Sequence, residues 1–206
     1  MAEVVYLSWS DVVDYCYRLA LRVAESGFKP DALVAVLRGG VLPALVISDV
    51  LNVPEFYAVR VKHWGVAREL YEKPRIEQPP PEAVRGKKVL IVDEVADTGK
   101  TLAEVAEAVK AMGAQEVRTA VIHLKSSSFY TPDYYVERLE RWVWIFYPWS
   151  LVETLYALAL RELGESSREP SRLLEKIEEI AERFSVSYDR RVVEEALGFY
   201  LEEEKR

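Results

Sequence analysis

The chain has 206 residues, 27 Lys+Arg against 34 Asp+Glu and a formal charge of −7, a length suited to one domain or one domain with an appendage. Half of the residues are apolar and 11% are aromatic, which excludes a mainly disordered chain. The acidic balance excludes a broad nucleic-acid-binding face, because phosphate backbones need a basic one. One cysteine, Cys16, and two histidines, His63 and His123, exclude a disulfide framework and any site rich in Cys or His ligands.

The first expected element is a helix from Ser10 to about Ser26, capped by Ser10 and stopped by Gly27. Val12, Val13, Cys16, Leu19, Ala20 and Val23 recur at helical spacing, so Cys16 reads as core. Glu3 and Asp11 interrupt any early apolar run, so no signal peptide is visible. Ala32 to Leu37 is a continuous apolar run bounded by Asp31 and Arg38-Gly39-Gly40, the pattern of a strand buried on both faces. A short helix over 41–51 and a strand over 55–61 follow.

Residues 63–84 show no clean period, carry Arg68, Lys73 and Arg75, and end in Pro79-Pro80-Pro81. A stretch of that length without regular structure is expected to be a lid, a binding loop or a disordered linker. Lys88 to Val92 reads as a buried strand, Thr101 to Met112 as a helix stopped by Gly113, and Val117 to Leu124 as another strand. Two short aromatic runs follow, near Tyr134 and near Trp142 to Phe146. The longest apolar stretch, Trp142 to Leu160, is broken by Pro148, Ser150, Glu153 and Thr154 and does not read as a membrane span. A cytoplasmic protein is expected. The order of elements indicates an α/β fold, an open and mostly parallel twisted sheet flanked by helices.

After Ser150 the pattern turns helical: 151–163, 171–184 and 189–203. Leu173, Leu174, Ile177, Ile180, Ala181 and Phe184 form one stripe, and Val192, Val193, Ala196, Leu197 and Tyr200 another. Such stripes need a partner surface, expected to be the sheet domain or a second copy of the chain, with a separate recognition module as the alternative. Residues 161–206 hold nine Lys+Arg against thirteen Asp+Glu, the wrong sign for a duplex-binding arm. The expected division is a domain over 1–150, with a lid at 63–84 and a hood at about 125–150, and a helical extension over 151–206.

Chemistry concentrates in Val89-Leu90-Ile91-Val92-Asp93-Glu94-Val95-Ala96-Asp97-Thr98-Gly99-Lys100-Thr101-Leu102. A strand ends in two carboxylates, a short polar loop follows, and a helix begins. In open α/β sheets ligands bind at that edge, and the loop from Ala96 to Thr101 offers backbone N–H groups at a helix N-terminus, a cradle for phosphate. Gly99-Lys100-Thr101 matches the end of the nucleoside-triphosphate loop, but Glu94 stands where that motif needs its leading glycine. Asp93 and Glu94 can accept hydrogen bonds from a diol or hold Mg²⁺ through its water shell. Leu37-Arg38-Gly39-Gly40-Val41-Leu42-Pro43-Ala44 adds a second anion site, with glycines for close backbone approach and Arg38 for charge-assisted hydrogen bonds.

These two segments resemble the type I phosphoribosyltransferases. The first is similar to the family's signature for 5-phosphoribosyl-1-pyrophosphate (PRPP), with Glu94 where many members have Asp, and the second to its pyrophosphate loop. The resemblance implies that Thr98, Gly99, Lys100 and Thr101 hold the 5′-phosphate, that Asp93 and Glu94 orient the ribose hydroxyls and Mg²⁺, that Arg38 and Gly39 hold pyrophosphate, and that Gly40, Val95, Ala96 and Asp97 also belong to the PRPP site. Asp97 is the implied proton acceptor near the purine N7, a role compatible with capping the next helix. Ile122-His123-Leu124-Lys125 and Trp144-Ile145-Phe146-Tyr147-Pro148-Trp149 look like the hood of members that take 6-oxopurines, most similar to the xanthine–guanine type. That implies Lys125 as donor to O6, Trp144 as the ring stacking on the base, with Trp142 and Phe146 as rivals, and Ile145 as a main-chain reader. Ser150 stands where xanthine–guanine relatives have an acid, which leaves selectivity at the 2-position open. The resemblance spans about residues 8–150 and also implies a lid at 63–84 and a homodimer. A PRPP-sensing regulator without transferase activity, and an enzyme for adenine or a pyrimidine, stand as alternatives.

Overall fold

Alternating strands and one-striped helices bury the most apolar surface when the helices cover both faces of a parallel sheet. The computed structural model describes residues 3–62, 64–65, 68–69, 73–164 and 168–203. In chain order the elements are β1 (Val4–Tyr6), α1 (Trp9–Glu25), β2 (Ala32–Leu37), α2 (Val41–Leu51), β3 (Glu55–Lys62), β4 (Trp64–Gly65), β5 (Arg68–Glu69), β6 (Arg75–Gln78), β7 (Lys88–Ala96), α3 (Lys100–Ala111), β8 (Glu116–Lys125), β9 (Tyr134–Leu139), β10 (Trp144–Phe146), α4 (Leu151–Leu163), α5 (Pro170–Phe184) and α6 (Arg190–Glu203). They divide between two compact units: Trp9–His63 with Leu70–Trp142, and Met1–Ser8 with Trp64–Glu69 and Val143–Arg206.

The larger unit is built on a six-stranded sheet in the order β6-β3-β2-β7-β8-β9. All neighbours are parallel except the antiparallel β3–β6 pair at one edge. The helix α3 buries Leu102, Val105, Ala106 and Val109 against Val34, Val36, Val89, Ile91 and Val121, alternate residues of the central strands. That period of two selects one face of the sheet. α1 and α2 pack on each other, with α2 also on β2 and β7 and α1 on β8 and β9. Cys16 is fully buried in α1, and burial pushes its thiol up to about 12.

The smaller unit pairs β1 with β10 in parallel, Val5 opposite Ile145, and has its own core. Leu155, Tyr156 and Leu158 of α4, Leu173, Ile177 and Ile180 of α5, and Val193 and Leu197 of α6 bury one another together with Phe146. The stripes of the tail thus bury one another on a core that also holds Phe146, with Val4, Tyr6 and Trp144 packed against it. Val192 does not join it, being 54% exposed. No helix among the described residues is long and apolar enough to cross a membrane.

Several boundaries move. α1 starts at Trp9, so Ser10 lies inside its first turn instead of capping it, while Gly27, with φ +76°, ends it as expected. The stretch 63–84 is not structureless: Arg75–Gln78 adds an antiparallel strand to β3, and Glu82–Val84 forms a 3₁₀ turn. Residues 63, 66–67 and 70–72 of the expected lid, and the side chain of Arg68, lie outside the described residues. The expected hood divides, 125–142 falling in the larger unit and 143–150 in the smaller.

Candidate active site

The chain leaves β2 for α2 and β3 in one direction and leaves β7 for α3 and β8 in the other, although β2 and β7 are neighbours. This reversal opens a crevice at the carboxyl ends of the two strands, the usual ligand site of such sheets. Both segments expected from sequence to bind anions lie there, Arg38-Gly39-Gly40 after β2 and Asp97-Thr98-Gly99 after β7.

β7 runs on to Ala96, past the end at Val92 expected from composition, because Val95 and Ala96 still pair with His123 and Leu124 of β8. Asp93 and Glu94 are therefore strand residues, and their carboxyls lie near enough for a side-chain hydrogen bond between them. Asp93 turns inward, is 9% exposed and accepts a bond from the Glu94 N–H at 2.9 Å. Burial, then the charge of Glu94, holds its carboxyl well above the usual range. Glu94 turns to the loop after β2, where a Cβ on Gly39 would fall 1.7 Å from its Oε2. Gly40 has a different task. Its N–H goes to the Val36 carbonyl at 2.9 Å, and a Cβ there would lie 2.2 Å from the Val92 carbonyl oxygen. Gly40 closes the turn against β7, and Arg38 stands exposed at its head, after a cis peptide bond from Leu37.

Gly99, at φ +80°, is the residue that turns the chain into α3, and its carbonyl takes the Ala103 N–H at 3.0 Å. A Cβ there would meet Ser128 Oγ at 2.4 Å and the Tyr130 backbone N at 2.9 Å. Gly99 offers α3 no side-chain cap, and Thr98 Oγ1 accepts a long bond from the Lys100 N–H at 3.4 Å; a helix start of this kind suits an anion. Asp97 does not cap α3, where Gly99 stands at the N-cap, so the capping role compatible with its function is not taken up. Its Oδ2 accepts from Lys125 Nζ at 2.8 Å and its Oδ1 from Trp142 Nε1 at 3.2 Å and Ser127 Oγ at 3.3 Å. The in-register ends of β7 and β8 bring Asp97 and Lys125 together.

Trp144 and Ile145 belong to the smaller unit. Trp144 donates its backbone N–H to the Glu3 carbonyl at 2.9 Å and has the Arg161 guanidinium 5.9 Å from its ring centroid, and Ile145 is buried in β10. Within the larger unit the indole at Asp97 and Lys125 is that of Trp142, weighed from sequence only as a stacking ring. Ser127 and Ser128 were not singled out at all, since a Ser-Ser-Ser run after a strand reads as an ordinary turn. Among the described residues no group of three or more acidic, His or Cys side chains converges as a metal cage.

The model of the phosphoribosyl transferase domain matches residues 6–154. The chain belongs to the phosphoribosyl transferase domain family. A purine phosphoribosyltransferase from Pyrococcus horikoshii Ot3 is 40% identical and superimposes over 71% of this chain and 93% of its own, with a TM-score of 0.62. A hypothetical protein from Neisseria gonorrhoeae with bound ppGpp is 28% identical over 80% and 98% of the two chains, TM-score 0.64. A xanthine-guanine phosphoribosyltransferase from Cereibacter sphaeroides is 28% identical over 160 residues, 71% of this chain and 86% of that one. The family match covers both loops and stops inside α4.

Proposed function

We propose that the chain transfers the 5-phosphoribosyl group of PRPP to a purine, giving the nucleoside 5′-monophosphate and pyrophosphate, a purine-salvage reaction. The observation that carries this reading is the convergence at one switch point of a helix-start turn, two acids toward the carboxyl end of β7 and a Gly-Gly turn. These suit in order a phosphate monoester, a diol and a second anion. The names of the relatives from P. horikoshii and C. sphaeroides support the purine as acceptor.

The turn and helix start from Thr98 to Thr101 would take the 5′-phosphate, Asp93 and Glu94 the ribose hydroxyls, and Arg38, Gly39 and Gly40 the pyrophosphate side. Purine N9 forms its bond to C1′ as the bond from C1′ to the pyrophosphate oxygen breaks, and the N7 proton passes to Asp97. The sugar is oxocarbenium-like between the two. Lys125 only donates hydrogen bonds, so it favours a base with oxygen at position 6. By resemblance Trp144 is the stacking ring and Ile145 the main-chain reader.

Mg²⁺ fits this donor set. The Glu94 carboxylate lies against Gly39, so a pyrophosphate at that loop would meet a negative charge unless a divalent ion stood with it. Two acids suffice for an ion that keeps its waters and substrate oxygens. When bound, Mg²⁺ neutralises the leaving group. A cytoplasmic location and a homodimer complete the proposal.

The test incubates the protein with PRPP, Mg²⁺ and guanine, xanthine, hypoxanthine, adenine, uracil or orotate in turn, and follows pyrophosphate. Release with the 6-oxopurines is expected. PRPP binding without release from any base would replace the reading with that of a sensor.

A further inference from the structure

The Asp97 carboxylate is held from several sides. Lys125 Nζ donates to Oδ2, while Trp142 Nε1 and Ser127 Oγ donate to Oδ1, and Ser127 Oγ also lies 2.9 Å from the Asp97 main-chain oxygen. The same indole meets the other member of the ion pair: Lys125 Nζ is 4.3 Å from the centroid of the Trp142 ring. Trp142 therefore touches the acid through its N–H and the ammonium through its π face. Lys125 is 5% exposed, but Trp142 is 44% exposed. Burial of its ring does not explain an indole in that position; the contacts it makes are polar and cation–π.

We propose that Trp142 is a positioning residue for the base: it holds Asp97 and Lys125 as a preset acid–ammonium pair that opens only to a ring with an N–H beside an acceptor. This rests on the proposed transfer to a purine. A base that parts the two groups must return a donor to Asp97 and an acceptor to Lys125, or leave two partly buried charges without partners. A 6-oxopurine in its N7–H form has N7–H and O6 side by side and satisfies both. Adenine has its amino group beside N7 and presents a donor to a donor. Discrimination of this kind is sharp only while both groups are held in place. Without Trp142 the carboxylate rotates and the four-carbon stem of Lys125 swings.

Two variants of the full chain separate the contacts. Trp142→Phe keeps a ring beside the ammonium and loses the N–H; Trp142→Leu loses both. Steady-state constants are measured with PRPP and Mg²⁺ for hypoxanthine and adenine. For Trp142→Phe, kcat is expected to fall about tenfold with KM for hypoxanthine nearly unchanged, the loss of one hydrogen bond to a charged group. Trp142→Leu is expected also to raise KM for hypoxanthine about tenfold and to narrow its advantage over adenine by a similar factor. KM for PRPP stays at the wild-type value in both. Wild-type constants in both variants would overturn the role of Trp142. So would losses equal in both variants and for both bases, the mark of a purely structural residue. A wild-type protein that transfers to no base would overturn the proposed function, and this inference with it.

Discussion

The Glu94 carboxylate occupies the space in which a Cβ on Gly39 would lie, Oε2 falling 1.7 Å from that position. An acid of β7 and the turn proposed to hold pyrophosphate are thus in direct contact, and neither can change alone. Gly39→Ala displaces the end of a flexible side chain, so the fold should survive. kcat/KM for PRPP is expected to fall about a hundredfold, the scale of a misplacement of about 1 Å. Gly40→Ala instead drives a methyl into the backbone of β7. It should lower stability by about 2 kcal/mol, as overpacking does, read as a drop in the urea midpoint. PRPP saturation curves and denaturation curves together distinguish the two glycines.

Asp93 is enclosed, and burial and Glu94 hold its carboxyl well above the usual range. A carboxyl whose folded value is raised binds protons more tightly when folded than unfolded. Its ionisation therefore costs stability progressively as pH rises from the unfolded value, near 4, through the raised folded one. Asp93→Asn removes that cost: its Tm should exceed that of the wild type at pH 7 and approach it at about pH 4. PRPP affinity should weaken in the same variant, because an amide accepts fewer bonds from the ribose hydroxyls. Thermal melts at the two pH values, with PRPP titrations beside them, check both halves.

His123 lies in β8 two residues before Lys125, fully buried, its ring 5.2 Å from that of Tyr15 and its Nε2 3.8 Å from Glu137. Burial lowers it to about 4; Glu137 pulls it up and Lys125 pushes it further down. A lowered folded value means that the unfolded chain binds the extra proton first. Stability should be fully present above about pH 6.5 and fall by up to about 3 kcal/mol between there and pH 4. His123→Gln should flatten this part of the curve of Tm against pH; an unchanged slope would assign it to other groups.

Asp97→Asn should lower kcat by at least about a hundredfold, the usual worth of a positioned proton acceptor, while PRPP affinity changes little. Equal losses in both would remove Asp97 from the chemistry.

Much of this was readable in the sequence, for physical reasons. The strand Ala32–Leu37 and the helix 41–51 were found to the residue because an unbroken apolar run between Asp31 and Arg38-Gly39 admits one strand length. The extent of β7 was not, since Asp93 and Glu94 look like an end in composition and only the pairing with β8 carries the strand to Ala96. The edge strand Arg75–Gln78 is polar and lies amid prolines, so pairing with β3 alone defines it. The anion turns were legible because glycine and a helix start are local signals. The bonds that Asp97 makes to Lys125, Ser127 and Trp142 were not, because they span 28, 30 and 45 residues.

The most direct measurement is a ³¹P spectrum of PRPP, Mg²⁺ and guanine incubated with the protein. Transfer replaces the diphosphate-ester signals with free pyrophosphate and a nucleotide monoester in equal amounts. Unchanged diphosphate-ester signals, or pyrophosphate accompanied by ribose 5-phosphate and no nucleotide, would contradict it.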